Sequence, residues 1–206
     1  MDREEDVSHL AEAQTVRTPR SKEWIMTALL QLMEHTGYSD ISILQIADKA
    51  GVVRQTFYRN YKDKDEVLFA SITELFEQFF GDFGKESLWS ERLFIRLFDK
   101  WKHRLPPALL NNITNKDRKV RQILYRSLSF CLDRMIAEAA GEETGEGLSE
   151  SRYYARASLS SVIHVMLIDW TLSGFRLPPE EMGAICFQLT ASMRDELGRV
   201  AADRGF

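Results

Sequence analysis

The chain has 206 residues, 44% hydrophobic and 28% charged, which places it with globular proteins able to bury roughly 70% of their unfolded surface in one or two domains. Its net charge of −4 is unevenly spread: residues 17–64 carry 8 Lys/Arg against 5 Asp/Glu, while the remainder carries 19 against 26. The overall sign argues against a nucleic-acid binder, but a basic segment on an acidic body is what phosphate binding at one end requires.

Residues 1–16 are polar and acidic, and the expectation is a disordered tail with no function of its own. Arg17 and Arg20 flank Thr18-Pro19, a plausible cap and first helical position. The first helix then runs to about His35, with Ile25, Ala28, Leu29, Leu32 and Met33 on one face, and Gly37 ends it. Ser42 is a good N-cap, and Gln45 three positions later can complete a capping box. Ile43, Ile46, Ala47 and Ala50 recur at helical spacing, and Gly51 suits a chain leaving a helix through a positive φ. A second helix follows from Arg54 to Tyr61. Val53, Phe57 and Tyr61 lie four apart and share an inward stripe, whereas Arg54, Gln55, Tyr58, Arg59 and Lys62 point the other way. Helix, short turn, helix is the arrangement whose second helix enters the DNA major groove.

The outward face carries suitable chemistry. Arg54 and Gln55 are donors of the kind that reach guanine and adenine edges, and Arg59 is a third base-reading candidate. Thr56 could touch a thymine methyl or donate to a phosphate, and Tyr58, Arg59 and Lys62 suit phosphate oxygens. Asp63 can cap the next helix with Glu66 at N3, which puts Lys64 in the first turn, where ammonium and helix N-terminus could grip one phosphate. The same spacing also allows a plain reading, a solvated helical hairpin with its aromatics in a core.

The run IADKAGVVRQTFYRNYKDKDEVL resembles the DNA-binding domain of the TetR family of transcriptional regulators. Ile46, Ala47, Ala50, Gly51, Val52, Thr56, Phe57, Tyr58, Lys64 and Leu68 or Val67 fill the family pattern, as do Ile25, Ala28 and Gly37-Tyr38 in the preceding helix. Two positions depart from it. Val53 stands where the family usually has Ser, removing a side-chain cap worth about 1 kcal/mol, and Tyr61 replaces the usual Phe. The resemblance implies an all-α protein: a helix-turn-helix domain over residues 17–66, then a helical effector-binding and dimerisation domain over 67–206. It implies a DNA-binding set of Arg17, Arg20, Ser42, Arg54, Gln55, Thr56, Tyr58, Arg59, Lys62 and Lys64. For the basic arm, Arg17 and Arg20, solvated charge is an equal alternative.

From Asp63 a helix continues through Leu68, Ile72, Leu75, Phe76 and Phe79 to breaks at Gly81 and Gly84, long enough to act as a lever between head and body. Helical periodicity then covers segments near 88–105, 107–113, 117–140, 150–174 and 179–199. Pro106-Pro107, the GEETGEG loop (141–147) and Pro178-Pro179 separate several of them, and no strand pattern intervenes. In the last helix Met182, Ile185 or Cys186, Leu189, Met193 and Leu197 form an apolar stripe, with Ala157, Ser158, Ser160 and Ser161 on the helix before it. The resemblance implies that these two helices form a homodimer interface through Ser161, Met182, Cys186, Leu189 and Met193; packing within one chain is the alternative. Two-fold pairing would place two recognition helices about 34–36 Å or a multiple apart on a palindromic duplex.

Family members usually hold a small effector in the body. Candidate lining residues are Trp101, His103, Tyr125, Tyr154, His164 and Trp170, each of which could equally be an ordinary core residue. The segment from Trp170 to Met182 resembles a TetR subgroup that includes regulators of dihydroxyacetone-kinase operons, which can answer to a protein partner instead. Cys131 and Cys186 have no metal-ligand spacing and read as buried thiols in a reducing cytosol. The sequence shows no signal peptide and no apolar run long enough to span a bilayer. No catalytic, cofactor or metal motif appears either. The function expected is therefore a cytoplasmic, non-enzymatic DNA-binding regulator, a repressor released by a small-molecule or protein effector. A non-specific DNA-binding or protein-interaction module is the rival.

Overall fold

The computed structural model describes residues 20–81, 90–140 and 149–198, and every regular element among them is helical. The acidic tail, Arg17, Gly84 and the GEETGEG loop lie outside the described residues. The head comprises α1 (residues 20–33), a 3-10 turn (Tyr38–Asp40), α2 (Ile43–Lys49) and α3 (Arg54–Asn60). The lever α4 (Lys64–Gly81) leads into the body, made of α5 (Glu91–Arg104), α6 (Pro107–Thr114), α7 (Arg118–Ala140), α8 (Glu150–Leu172), α9 (Pro179–Leu189) and α10 (Ala191–Gly198).

Local chemistry sets the head's boundaries. Ser42 and Gln45 form the expected box: the Gln45 N–H donates to Ser42 Oγ at 3.3 Å and the Ser42 N–H to Gln45 Oε1 at 2.8 Å. At the far end Gly51 has φ +66°, and the Val52 N–H returns to the Ala47 carbonyl at 3.0 Å, closing a Schellman turn. Ile25, Ala28, Leu29 and Met33 of α1 bury against Ile46, Ala47 and Phe57.

In the body, α4 runs along α7 and α5 packs on α9. An aromatic ladder fills the space between α4 and α8. Phe76 stacks on Phe80 and on Trp101 at centroid distances of 6.2 and 6.1 Å, and Phe98 meets Trp170 edge-on at 5.4 Å. Each such side chain contributes about 1.5–3 kcal/mol by leaving water. The final segment, expected as one helix over 179–199, is two. Thr190 is the C-cap of α9: its N–H still bonds the Cys186 carbonyl at 3.1 Å, and its hydroxyl adds bonds to the Cys186 and Phe187 carbonyls at 2.7 and 3.3 Å where the helix ends.

The tightest helix contact is between α5 and α9. A Cβ added to Gly183 would sit 2.4 Å from the Ile95 Cα and 2.5 Å from its nitrogen, so the two helices must part to admit it. Gly183→Ala is expected to cost about 1–3 kcal/mol despite alanine's better helix propensity, read as a lower urea midpoint at unchanged slope.

Two buried phenols make stability fall in alkali. Burial, reinforced by Glu74 and Glu66, raises Tyr61 to about 12. Burial and the hydrogen bond to Asp65 raise Tyr38 as well. Unfolded tyrosines ionise near 10, so above that pH the unfolded chain holds fewer protons than the folded one, and stability declines as pH rises. Urea midpoints should drop from pH ~10 towards 12, and Tyr61→Phe should flatten that drop.

Candidate functional site

The second helix of the head is only seven residues long, so its position is set by what it buries. Phe57 is fully buried and Tyr61, which caps the C-terminus, nearly so; their rings lie 6.3 Å apart. Val53 does not join them. It is the N-cap in extended conformation, gives no side-chain cap, and is 69% exposed, which corrects the expected inward stripe. A cap residue sits outside the helical screw, so spacing of four from Phe57 does not place it on the same face.

The opposite face is open. Arg54, Gln55, Tyr58, Arg59 and Lys62 are all exposed. Arg54 Nη2 donates to the Tyr58 hydroxyl at 3.3 Å, and its guanidinium lies 5.6 Å from the Tyr58 ring centroid, so this arginine is partly pre-oriented. Thr56 is half-buried, and its carbonyl accepts from Asn60 Nδ2 at 2.7 Å. Arg20 is exposed at the start of α1, and the Ser42 hydroxyl is engaged in its capping box. Leu44 and Trp24, which sequence reasoning did not single out, are more than half exposed on the head.

Lys64 has a different task from the one expected. Its ammonium donates to the carbonyls of Tyr38, Ser39 and Ile41 at 2.8, 3.1 and 2.7 Å and lies 4.7 Å from the Tyr38 ring centroid. An ammonium has three protons, and all three are placed, so a phosphate would have to displace a backbone acceptor. Asp63 and Glu66 do cap α4, with the Glu66 N–H on Asp63 Oδ1 at 2.9 Å and the Lys62 N–H on Glu66 Oε2 at 2.5 Å.

Two further residues tie head to body. Buried Asn112 on α6 donates to the Met33 and Ala108 carbonyls at 3.1 and 2.8 Å and accepts the Tyr38 N–H at 3.1 Å. Asp65 accepts the Tyr38 hydroxyl at 2.5 Å and pairs with Lys119 of α7 at 2.7 Å. Burial acts to raise the Asp65 carboxyl, but Lys119, Tyr38 and Lys64 together hold it below its ordinary value. A signal for Asn112 was present in the sequence: it is a polar residue four past Ala108 on the apolar side of a short helix.

The expected effector residues separate. Trp101 and Trp170 are buried with their indole N–H groups satisfied by Thr171 Oγ1 and the Leu177 carbonyl, which makes them core. His103 is exposed beside Asp99, and Tyr154 is 65% exposed on α8. Only Tyr125 and His164 meet, edge-on at 5.6 Å, with Ser161 Oγ 3.4 Å from the Tyr125 hydroxyl. They line an open cleft of ≈350 Å³ between α7 and α8, together with Arg118, Arg121, Gln122, Val165, Ile168 and Asp169. Deeper in the body, the void lined by Phe80, Leu93, Phe94, Leu97, Leu132, Ile136, Leu159 and Ile163 measures only ≈10 Å³, about the space of one water.

The expected dimer stripe is likewise divided. Met182 and Cys186 are buried within the chain on the side of α9 that meets α5, whereas Ser161 is half-buried, with its hydroxyl on the Ala157 carbonyl and beside Tyr125. Leu189 is 61% exposed and Met193 half-buried. Tyr153, Tyr154, Val165 and Ile185 are the other large apolar side chains exposed on α8 and α9. Among the described residues no three His, Cys, Asp or Glu side chains could hold a metal. Burial raises both thiols, Cys131 and Cys186, to about 12. No described helix is long and apolar enough to cross a membrane.

Comparison with known proteins gives the following. The sequence model for bacterial regulatory proteins of the tetR family matches residues 25–78. A TetR transcriptional regulator from Streptococcus agalactiae superposes with a TM-score of 0.60 at 18% identity, over 87% of this chain and 98% of that one. A FadR repressor of the same family from Thermus thermophilus, solved with lauroyl-CoA, gives 0.51 at 17% identity, over 82% and 93%. The dihydroxyacetone kinase operon activator DhaS gives 0.50 at 17% identity, over 85% and 97%. No curated protein matches significantly.

Lys64→Met is expected to lower the head's stability by about 1–2 kcal/mol, because three carbonyls lose their donor in a partly buried place. The check is the urea midpoint without DNA. A lysine serving only a phosphate would leave it unmoved.

Proposed function

We propose that this chain, whose head matches the tetR family model and whose fold is that of a TetR regulator, is a homodimeric transcriptional repressor reading a palindromic operator with one α3 helix per half-site. The observation that carries this reading is the two-sided α3: Phe57 is buried beneath it, and Arg54, Gln55, Tyr58, Arg59 and Lys62 stand free above it. Arg54, Gln55 and Arg59 are the base-reading residues, with Thr56 at the half-buried edge. Tyr58 and Lys62 contact phosphates, joined by Arg20 and the N-terminal Arg17. Ser42 acts indirectly, by fixing where α2 starts. A plain solvated hairpin would not need its arginine braced against a tyrosine on the same face.

Dimerisation is assigned to the outward faces of α8 and α9, with Tyr154, Ile185 and Leu189 at its centre and Met193 at its edge. An apolar surface of that kind on two adjacent helices is suited to an isologous four-helix contact. The protein works in the cytoplasm, where its DNA is. An effector acts by preferring one of two head spacings. Among the described residues the void beneath α5, α7 and α8, at ≈10 Å³, is too small for a metabolite. The same fullness favours, as a second reading, control by a protein partner bound to the body's surface.

Selection of duplexes from a random pool by the full-length protein should recover an inverted repeat, bound at least ~10³-fold more tightly than random DNA. Arg54→Ala should weaken the selected site by roughly 1–3 kcal/mol and relax one position in each half. Lys62→Ala should weaken all sequences alike and flatten the salt dependence by about one unit. Recovery of an unchanged site by Arg54→Ala removes that residue from base reading, and a pool with no repeat removes the operator-specific reading.

A further inference from the structure

We infer that the α7–α8 cleft is the effector site and that it takes a small aromatic or apolar carboxylate bearing a hydroxyl, held by the guanidiniums of Arg118 and Arg121. This rests on the regulator reading above and specifies its ligand. Arg118 and Arg121 are three residues apart at the start of α7, so both lie on one side of the helix. Neither has an ion-pair partner among the described residues, and Asp65, the lever carboxylate that reaches the start of α7, is claimed by Lys119. Two unclaimed planar forks at a concave surface match a carboxylate in geometry as well as in charge.

The rest of the lining sets the shape of the ligand. At ≈350 Å³ the cleft is at the lower end of small-ligand sites. Val165 and Ile168 supply an apolar wall, and the Tyr125–His164 pair an aromatic edge. His164 adds no charge: burial, and after it the Arg121 charge, push its pKa down to about 4, so it acts as a neutral hydrogen-bonding ring. Asp169 is the one carboxylate in the lining. With two arginines and one aspartate the site carries about one positive charge, which a monoanion balances and a phosphate dianion would exceed. Asp169 also accepts a hydrogen bond from the ligand's hydroxyl.

The site is placed to be heard by the head. Lys119, between the two arginines, pairs with Asp65 in the first turn of the lever, and Asp65 holds Tyr38 of the head's 3-10 turn. A ligand that draws in the first turn of α7 therefore acts directly on the base of α4.

The test uses the full chain and 3-hydroxybenzoate as probe, with neutral 3-hydroxybenzamide and dianionic phenyl phosphate as comparisons, in isothermal titration. Expected is one probe per chain with millimolar affinity, and binding at least about tenfold weaker for the benzamide and for phenyl phosphate. Arg118→Gln and Arg121→Gln should each weaken the benzoate by about tenfold without moving the thermal midpoint of the ligand-free chain. In a separate titration the benzoate should lower affinity for the selected operator, and Lys119→Met should bind the benzoate normally but blunt that response. Equal binding of acid and amide, no binding of the acid, tighter binding of phenyl phosphate, or arginine variants that bind like the native chain would each overturn the site. A Lys119→Met chain with an undiminished response would overturn the route. Failure to recover an operator at all counts against the regulator reading alone, since the benzoate titration needs no DNA.

Discussion

The head of this protein depends on one ammonium. α2 and α3 have seven residues each, too short to persist without tertiary support, and α3 lacks a side-chain cap. Their support is hydrophobic on one side, through Phe57, and closed on the other by Lys64, which reaches back across more than twenty residues to three carbonyls of the turn between α1 and α2. The single 3-10 turn bonds only the Tyr38 carbonyl internally, through the Ile41 N–H at 3.3 Å, so the ammonium adds a donor where one turn of helix supplies few. Burial disfavours the charge on Lys64, and the neighbouring carboxylates of Asp65, Asp117 and Asp40 act against that. The entry angle of the lever and the seat of the recognition helix are thus set by the same group.

The next residue along carries the constraint into the body. Asp65 holds Tyr38 on one oxygen and Lys119 on the other, and Asn112 grips the end of α1 from α6. Head, lever and α6–α7 are therefore joined by polar contacts with fixed geometry in addition to the apolar core they share. Such contacts give few intermediate positions: each is made or broken, which suits a spacing switch better than a greasy hinge would.

The sequence made local rules legible and long-range ones not. Ser42 with Gln45, Gly51, and the exposed cations of α3 are short-range patterns whose physics is complete within five or six residues, and each was readable before any coordinates. Lys64 looked like a phosphate ligand because the turn it binds lies 23–26 residues upstream, beyond any periodicity. Met182 and Cys186 belong to an amphipathic stripe that was expected to face a second subunit, but a stripe does not say against what it packs; α5 covers these two inside the chain, and Gly183 is what lets α5 come so near. The break at Thr190 was hidden because threonine at mid-helix is unremarkable until its hydroxyl is seen on the carbonyls behind it. Trp101 and Trp170 carried polar handles that suggested a pocket, yet each handle found a partner within the core.

Packing then decides which parts of the body can respond. The upper part of α4 is clamped by stacked rings, Phe76 between Phe80 and Trp101, and α5 is locked to α9 by a contact with no room for a methyl group. Close-packed rings and backbone contacts resist small displacements and transmit them as rigid units. The ≈350 Å³ cleft opens instead between α7 and α8. A signal entering there meets α7 at its first turns, and α7 lies along the lever and holds its base through Lys119. On the proposed reading α7 is the route from that cleft to the head, because it borders the cleft on one side and the lever on the other.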